Sequence, residues 1–198
     1  AQLAATLDVT GLVPILDHGY DADQNVAWVT YQFVDGFSLG HHYATSRLPL
    51  PRKLELLGEI CRILSPLHEA GIVHGNLRPS NILIDTAGQL LLTNYGEGIR
   101  DTAELTVESA RYVSPEIVAG AQIDSRSDLF SVGAVGYRLV CGVSPFDGAT
   151  PPAILAAVAI MHPAHPRHHV PHLPSAAGAV LKRLLKKCPA ERYQTASR

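Results

Sequence analysis

The stretch that decides the reading is His74-Gly75-Asn76-Leu77-Arg78-Pro79-Ser80-Asn81-Ile82-Leu83-Ile84, followed thirteen residues after Asn81 by Asn94-Tyr95-Gly96. Ile82-Leu83-Ile84 and Gln89 to Thr93 are short β-rich runs, and Asp85-Thr86-Ala87-Gly88 between them is turn chemistry, with Gly88 available for a positive φ. A short hairpin is predicted, with one polar loop before it and another after it. Amides dominate both loops: Asn76 and Asn81 in the first, Asn94 in the second. An amide is neutral near pH 7, so Asn76 can hydrogen-bond but cannot act as a proton acceptor in catalysis.

A chain of 198 residues suits one compact domain or two small lobes. A hydrophobic share of 46% supports a packed core. The formal net charge is −2, from 16 basic and 18 acidic residues mixed along the chain, with no basic stripe to neutralise phosphates. Nucleic acid is therefore not an expected partner. Cys61, Cys141 and Cys188 are odd in number and far apart in apolar surroundings, which reads as free buried thiols in a reducing cytoplasm. The longest apolar candidate, Ala153 to Met161, covers nine residues, half of what a membrane span needs. The start at Ala1 carries no leader pattern and reads as a domain cut from something longer.

Along the chain, residues 1–8 read as the end of a helix. Leu12 to Asp17 and Val26 to Val34 read as a hairpin across the polar segment Gly19 to Asn25, with Asp35-Gly36 ending the second strand. The segment from there to Leu48 has no clear pattern. Leu54, Leu57, Cys61 and Leu64, with Leu56, Ile60, Ile63 and Leu67 on an adjoining stripe, have the spacing of a mostly buried helix that Pro66 should kink. Arg126 to Val140 is a second buried helix, started by Ser127 or Asp128; Pro152 to Met161 and Ala176 to Lys187 are two more. Strands early and helices late make the class α+β.

The two loops resemble the catalytic loop and the metal-binding loop of a protein kinase. That family has His-Arg-Asp, four residues, then Asn, with Asp-Phe-Gly downstream, and here both aspartates are asparagine, Asn76 and Asn94. Further motifs appear in the family's order. Leu67-His68-Glu69-Ala70-Gly71-Ile72-Val73-His74 matches the end of the helix entering the catalytic loop, and Ser114-Pro115-Glu116 stands for Ala-Pro-Glu. Ser127-Asp128-Leu129-Phe130-Ser131-Val132-Gly133 matches the central buried helix, and Gly142-Val143-Ser144-Pro145-Phe146 the turn after it. The likeness is to bacterial Ser/Thr kinases. It implies a kinase-like fold, residues 1–198 as a single domain: a remnant N-lobe hairpin and hinge at 1–36 and a helical C-lobe at 37–198. It also implies that Asp128 holds the catalytic-loop backbone and that Glu116 pairs with Arg192.

The departures fall on chemistry. In the family the first aspartate accepts the substrate hydroxyl proton and the second chelates magnesium. Losing a positioned base costs roughly 10²–10⁴ in rate; a loss of ~10³ is about 4 kcal/mol of barrier. Gly75 replaces the Arg that reads activation-loop phosphate, Arg78 replaces the Lys at the transferring phosphate, and Glu108-Ser109-Ala110 stand where Gly-Thr-Pro would. His74 and Asn81 are kept, as is Gly96, and Tyr95 takes the Phe position. The resemblance starts the chain near the end of the helix carrying the ATP-positioning Glu, and residues 1–50 hold neither a Gly-x-Gly-x-x-Gly nor a Val-Ala-x-Lys match. Half an adenine pocket is expected, with Tyr31 as gatekeeper, Gln32 to Val34 facing adenine and Leu83 as floor.

The expectation is therefore a catalytically inactive, truncated pseudokinase: not an enzyme, with no catalytic or metal site, no cofactor and little or no ATP or magnesium binding. It would act as a scaffold or allosteric regulator through a protein partner or homodimer at the exposed hairpin and cleft. The alternatives are a nucleotide-binding switch and a kinase-fold enzyme with altered chemistry. His162, His165, His168, His169 and His172 read as solvated loop histidines rather than metal ligands. Lys182, Arg183, Lys186 and Lys187 read as a solvated helix face, and Trp28 as core rather than a ligand-stacking ring.

Overall fold

The structure, a computed structural model, describes residues 9–45, 48–96 and 102–197. The helix end expected over residues 1–8 lies outside them. The chain opens with an antiparallel hairpin, β1 (Ile15–Asp21) and β2 (Val26–Tyr31). β1 starts later and runs further than the sequence pattern predicts. Its Asp21 side chain explains the late turn by accepting the N–H groups of Asp23 and Gln24, so the polar segment is half strand.

β3 (Gly36–Ser38), β4 (Ile82–Asp85) and β5 (Leu90–Leu92) form a second antiparallel sheet in that order. Gly36 is required by proximity, because a Cβ there would lie 2.2 Å from the Ile84 carbonyl oxygen. The β4–β5 turn closes as predicted, with Gly88 at φ +81°. The segment without a clear pattern forms β3 and then α1 (Leu39–Thr45), a helix of two turns that packs on the 3₁₀ turn Pro79–Asn81. Its fold comes from that contact rather than from periodicity.

α2 (Leu50–Glu69) buries Leu56, Ile60, Ile63, Leu64 and Leu67, and Pro66 falls in its last turn. α3 (Val107–Ala110) and α4 (Pro115–Val118) are short, and α5 (Ser125–Cys141) is buried almost all round. The cap of α5 is Asp124, whose carboxylate accepts the Arg126 N–H at 2.8 Å, not Ser127 or Asp128. Those two side chains point inward instead. α6 (Pro151–Ile160), α7 (Pro166–His169) and α8 (Ser175–Leu184) complete the lobe, and α5 packs against both α2 and α8.

Further expectations change. Lys186 and Lys187 fall after α8 ends at Leu184, and Lys187 is half-buried, donating to the Val158 carbonyl and lying 4.0 Å from the Phe146 ring centre rather than on a solvated helix face. Trp28 is 41% exposed and lies across Gly19 on the hairpin rather than in the core. Cys61 and Cys141 are partly buried, and burial pushes both thiols up to about 11, but Cys188 is exposed on the loop after α8. The hairpin joins the rest at its base. Val13 donates to the Leu92 carbonyl, Leu92 to that of Gly11, and Gln32 to that of Pro14. No helix among the described residues is long and apolar enough to cross a membrane.

Candidate functional site

The first polar loop leaves α2 through Gly71 and is held from below by α5. Asp128, 1% exposed, accepts the backbone N–H groups of His74 and Gly75, both at 2.8 Å, and the Nε2 of His68 lies 2.7 Å from it. Three donors on one buried carboxylate fix the loop without any help from its tip. Gly75 sits at φ +74°, a conformation that suits glycine there. His74 is fully buried, and that burial pushes its imidazole below the ordinary value, with His68 adding to the shift and Asp128 opposing it. Its Nδ1 accepts the Asn76 N–H at 3.3 Å, which puts the proton of the neutral ring on Nε2.

The tips of both loops join through amides. The Asn81 Nδ2 donates to the Asn76 carbonyl at 2.7 Å, and the Asn94 Nδ2 donates to the Asn81 Oδ1 at 3.0 Å. The orientation is forced: a carbonyl only accepts, so Asn81 must turn its nitrogen towards Asn76, leaving its oxygen for Asn94. Asn94 takes φ +57°, which asparagine tolerates better than most residues. The backbone adds Thr93 N–H to the Asn81 carbonyl and Gly96 N–H to that of His74. Tyr95 turns inward, 2% exposed, donating to the Val13 carbonyl at 3.0 Å and meeting Tyr31 edge-on at 6.0 Å between ring centres.

Of the expected adenine-facing residues, Gln32 and Val34 line one recess of about 280 Å³ with Pro14, Asp85 and Leu91. Tyr31 and Leu83 are not among its walls. Tyr31 packs towards Tyr95, and Leu83 is half-buried in β4 opposite Ser38 and Leu91. Arg78 borders a cavity of about 10 Å³ together with Asn76, Ser109 and Tyr112, and its buried Nε has no partner among the described residues. Ser109 completes a capping box with Thr106 at the start of α3, a structural use that sequence spacing did not reveal. His68 was likewise missed, because nothing in an exposed-looking helix end signals a contact sixty residues away.

These donors by themselves make a poor magnesium site: magnesium is held by one or two carboxylates together with substrate phosphates, whereas the loop tips offer neutral amides, with the Asn81 Oδ1 accepting from the Asn94 Nδ2 at 3.0 Å. Among the five late histidines, His168 and His169 lie in α7 rather than in a loop, and two of the five have local uses. His165 accepts the Arg167 N–H at the start of α7, and His169 meets Tyr137 edge-on.

Away from the loops, Glu116 and Arg192 form a two-pronged pair at 2.7 and 2.8 Å, with Ser127 donating to the same carboxylate at 2.7 Å. Arg192 is fully buried and also donates to the carbonyls of Arg126, Lys186 and Lys187.

A family model for the protein kinase domain matches residues 2–197. The chain belongs to the protein kinase family. It is similar to a probable serine/threonine-protein kinase of Streptomyces coelicolor, 33% identical over 99% of this chain and 31% of the relative. It is also similar to the serine/threonine-protein kinase PknB of Mycolicibacterium smegmatis, 32% identical over all of this chain and 33% of that relative. This kinase domain thus spans about a third of the length of these relatives. The likeness corrects one expectation: relatives matching nearly the whole chain are named kinases, so the findings point to an enzyme and not to a non-enzyme. The physical reason lies in the reaction. Phosphoryl transfer depends mostly on positioning and electrostatics spread over many groups, so two altered side chains argue about rate and do not decide membership.

Proposed function

We propose that this kinase domain acts chiefly by binding other proteins, as a scaffold or allosteric regulator, with phosphoryl transfer and magnesium-nucleotide binding far weaker than in a kinase carrying both acids. The observation that carries the reading is that neutral amides stand at both loop tips, with the Asn94 Nδ2 donating to the Asn81 Oδ1 and the Asn81 Nδ2 to the backbone carbonyl of Asn76. The hairpin supports a binding role, because Leu16, Tyr20, Val26 and Trp28 are exposed on a sheet of two strands among the described residues. Its occupant is a protein partner or a second copy of this chain. A reducing cytoplasmic setting agrees with three free thiols.

The test compares transfer from ATP to a generic protein substrate by the natural chain and by N76D/N94D. Neither is expected to transfer robustly, because residues 1–50 hold no match to the Gly-rich loop or to Val-Ala-x-Lys and the two acids alone do not position the phosphates. Robust transfer by either protein would overturn the reading. Calorimetric titration with ATP, with and without magnesium, separates the alternative. Tight binding indifferent to magnesium would favour a nucleotide-operated switch.

A further inference from the structure

At the corner where α1, the start of α2 and the end of α5 meet, His42, Tyr43, Leu48, Lys53, Arg138 and Leu139 line a recess of about 140 Å³. That is well above the order of 10–15 Å³ that one water requires. Its two permanent cations have no salt-bridge partner among the described residues. Of the acids near this corner, Glu108 acts on Tyr43 and Asp147 is acted on by Arg138. Both are taken by Arg111, at 3.0 and 2.7 Å.

Helix electrostatics explain only half of this arrangement. Arg138 lies in the last turn of α5, where a cation complements the carbonyl end of the helix, and it sits 6.0 Å over the Tyr43 ring. Lys53 is placed the other way. It stands near the amino end of α2, a 20-residue helix with no acid in its first turn and no side-chain cap. A cation there opposes the helix dipole. Lys53 and Arg138 therefore meet on one concave spot beside the start of α2, with the His42 imidazole as a further polar wall.

We propose that this recess is a binding site for a phosphate group, carried on a peptide or free in solution. A compact dianion would satisfy both cations through charge-assisted hydrogen bonds. The site stands apart from the asparagine loops and does not depend on whether they transfer phosphate.

The experiment is a phosphorus NMR titration of the natural chain with inorganic phosphate, and with a blocked Ala-phosphoserine-Ala tripeptide, at constant ionic strength. Saturable binding is expected, weakened about tenfold in K53Q and in R138Q, one charge-assisted contact being lost in each. Tighter binding of the tripeptide would assign the phosphate to a protein chain; equal binding would assign it to a small molecule. Because Arg138 also covers Tyr43, thermal melts accompany each variant, and K53Q decides if R138Q does not fold. The proposal is overturned if neither probe saturates, if chloride at equal ionic strength displaces them equally well, or if K53Q binds like the natural chain.

Discussion

Asn94 carries the sharpest test at the scale of one residue. Its Nδ2 donates to an oxygen of the buried Asn81 at 3.0 Å, so an aspartate there would set a carboxylate oxygen against a carbonyl oxygen. Replacing a donor by an acceptor at a buried partner costs about 1–3 kcal/mol, equivalent to about 2–4 °C in Tm per kcal/mol for a domain of this size. N94D is accordingly expected to melt lower than the natural chain in chelator and to recover part of the difference when magnesium is added. The natural chain should show no such magnesium dependence. Equal melting of N94D with and without magnesium would mean that the Asn81 oxygen is not a latent cation ligand. The identity of these asparagines was legible from the motif order alone, but their mutual hydrogen bonds were not. The spacing of thirteen residues is set by a hairpin whose exact register only the fold supplies.

At the scale of elements, the Glu116–Arg192 pair ties α4 to the segment after α8, with Ser127 adding the first turn of α5. Burial on its own would raise the Glu116 carboxyl, but hydrogen bonds from Arg192 and Ser127 outweigh it, and the net shift is below the ordinary 4.5. A carboxyl whose folded value is depressed stabilises the fold fully above the unfolded value and loses that contribution as pH falls through the folded one. The domain should therefore weaken progressively below about pH 4.5. E116Q should lose part of that acid sensitivity and cost about 3–5 kcal/mol at neutral pH, because it leaves a buried guanidinium without its counter-charge. Acid melts of the two proteins that ran parallel would remove this pair from the account. Element reading from sequence succeeded where burial is one-sided and regular, as along α2, and failed where a neighbour makes the structure. α1 has two turns and leans on the 3₁₀ turn Pro79–Asn81. Asp124 rather than Ser127 caps α5, because Ser127 and Asp128 are drawn inward by Glu116 and the His74 loop.

Over the whole molecule, polar function and apolar exposure separate. The helical part is closed by a continuous core running from α2 through α5, whereas the β1–β2 hairpin attaches through Gly11 to Pro14 and leaves most of its side chains in solvent. Trp28 illustrates why the sequence misleads here. An aromatic residue in an alternating strand reads as core, but burial needs a layer packed on that face, and here Trp28 lies over its cross-strand neighbour Gly19 and stays 41% exposed. A hairpin of this kind is marginal by itself, and Leu16 and Trp28 at 66% and 41% exposure are costly in water unless something covers them. Replacing both by serine removes apolar surface without touching the core, so L16S/W28S should fold with a Tm within a few degrees of the natural chain. Light scattering at high micromolar concentration then distinguishes the roles. If the hairpin is the contact surface, the natural chain self-associates or retains a partner and L16S/W28S does not. A lasting contact must bury at least about 1,000 Å², more than two side chains provide, so the rest of the strand pair must join it and the loss should be complete rather than graded. A natural chain that stays monomeric and partnerless, with the variant indistinguishable from it, would remove the hairpin as the binding surface and leave the amide-linked loops to be explained by something other than a protein-binding role.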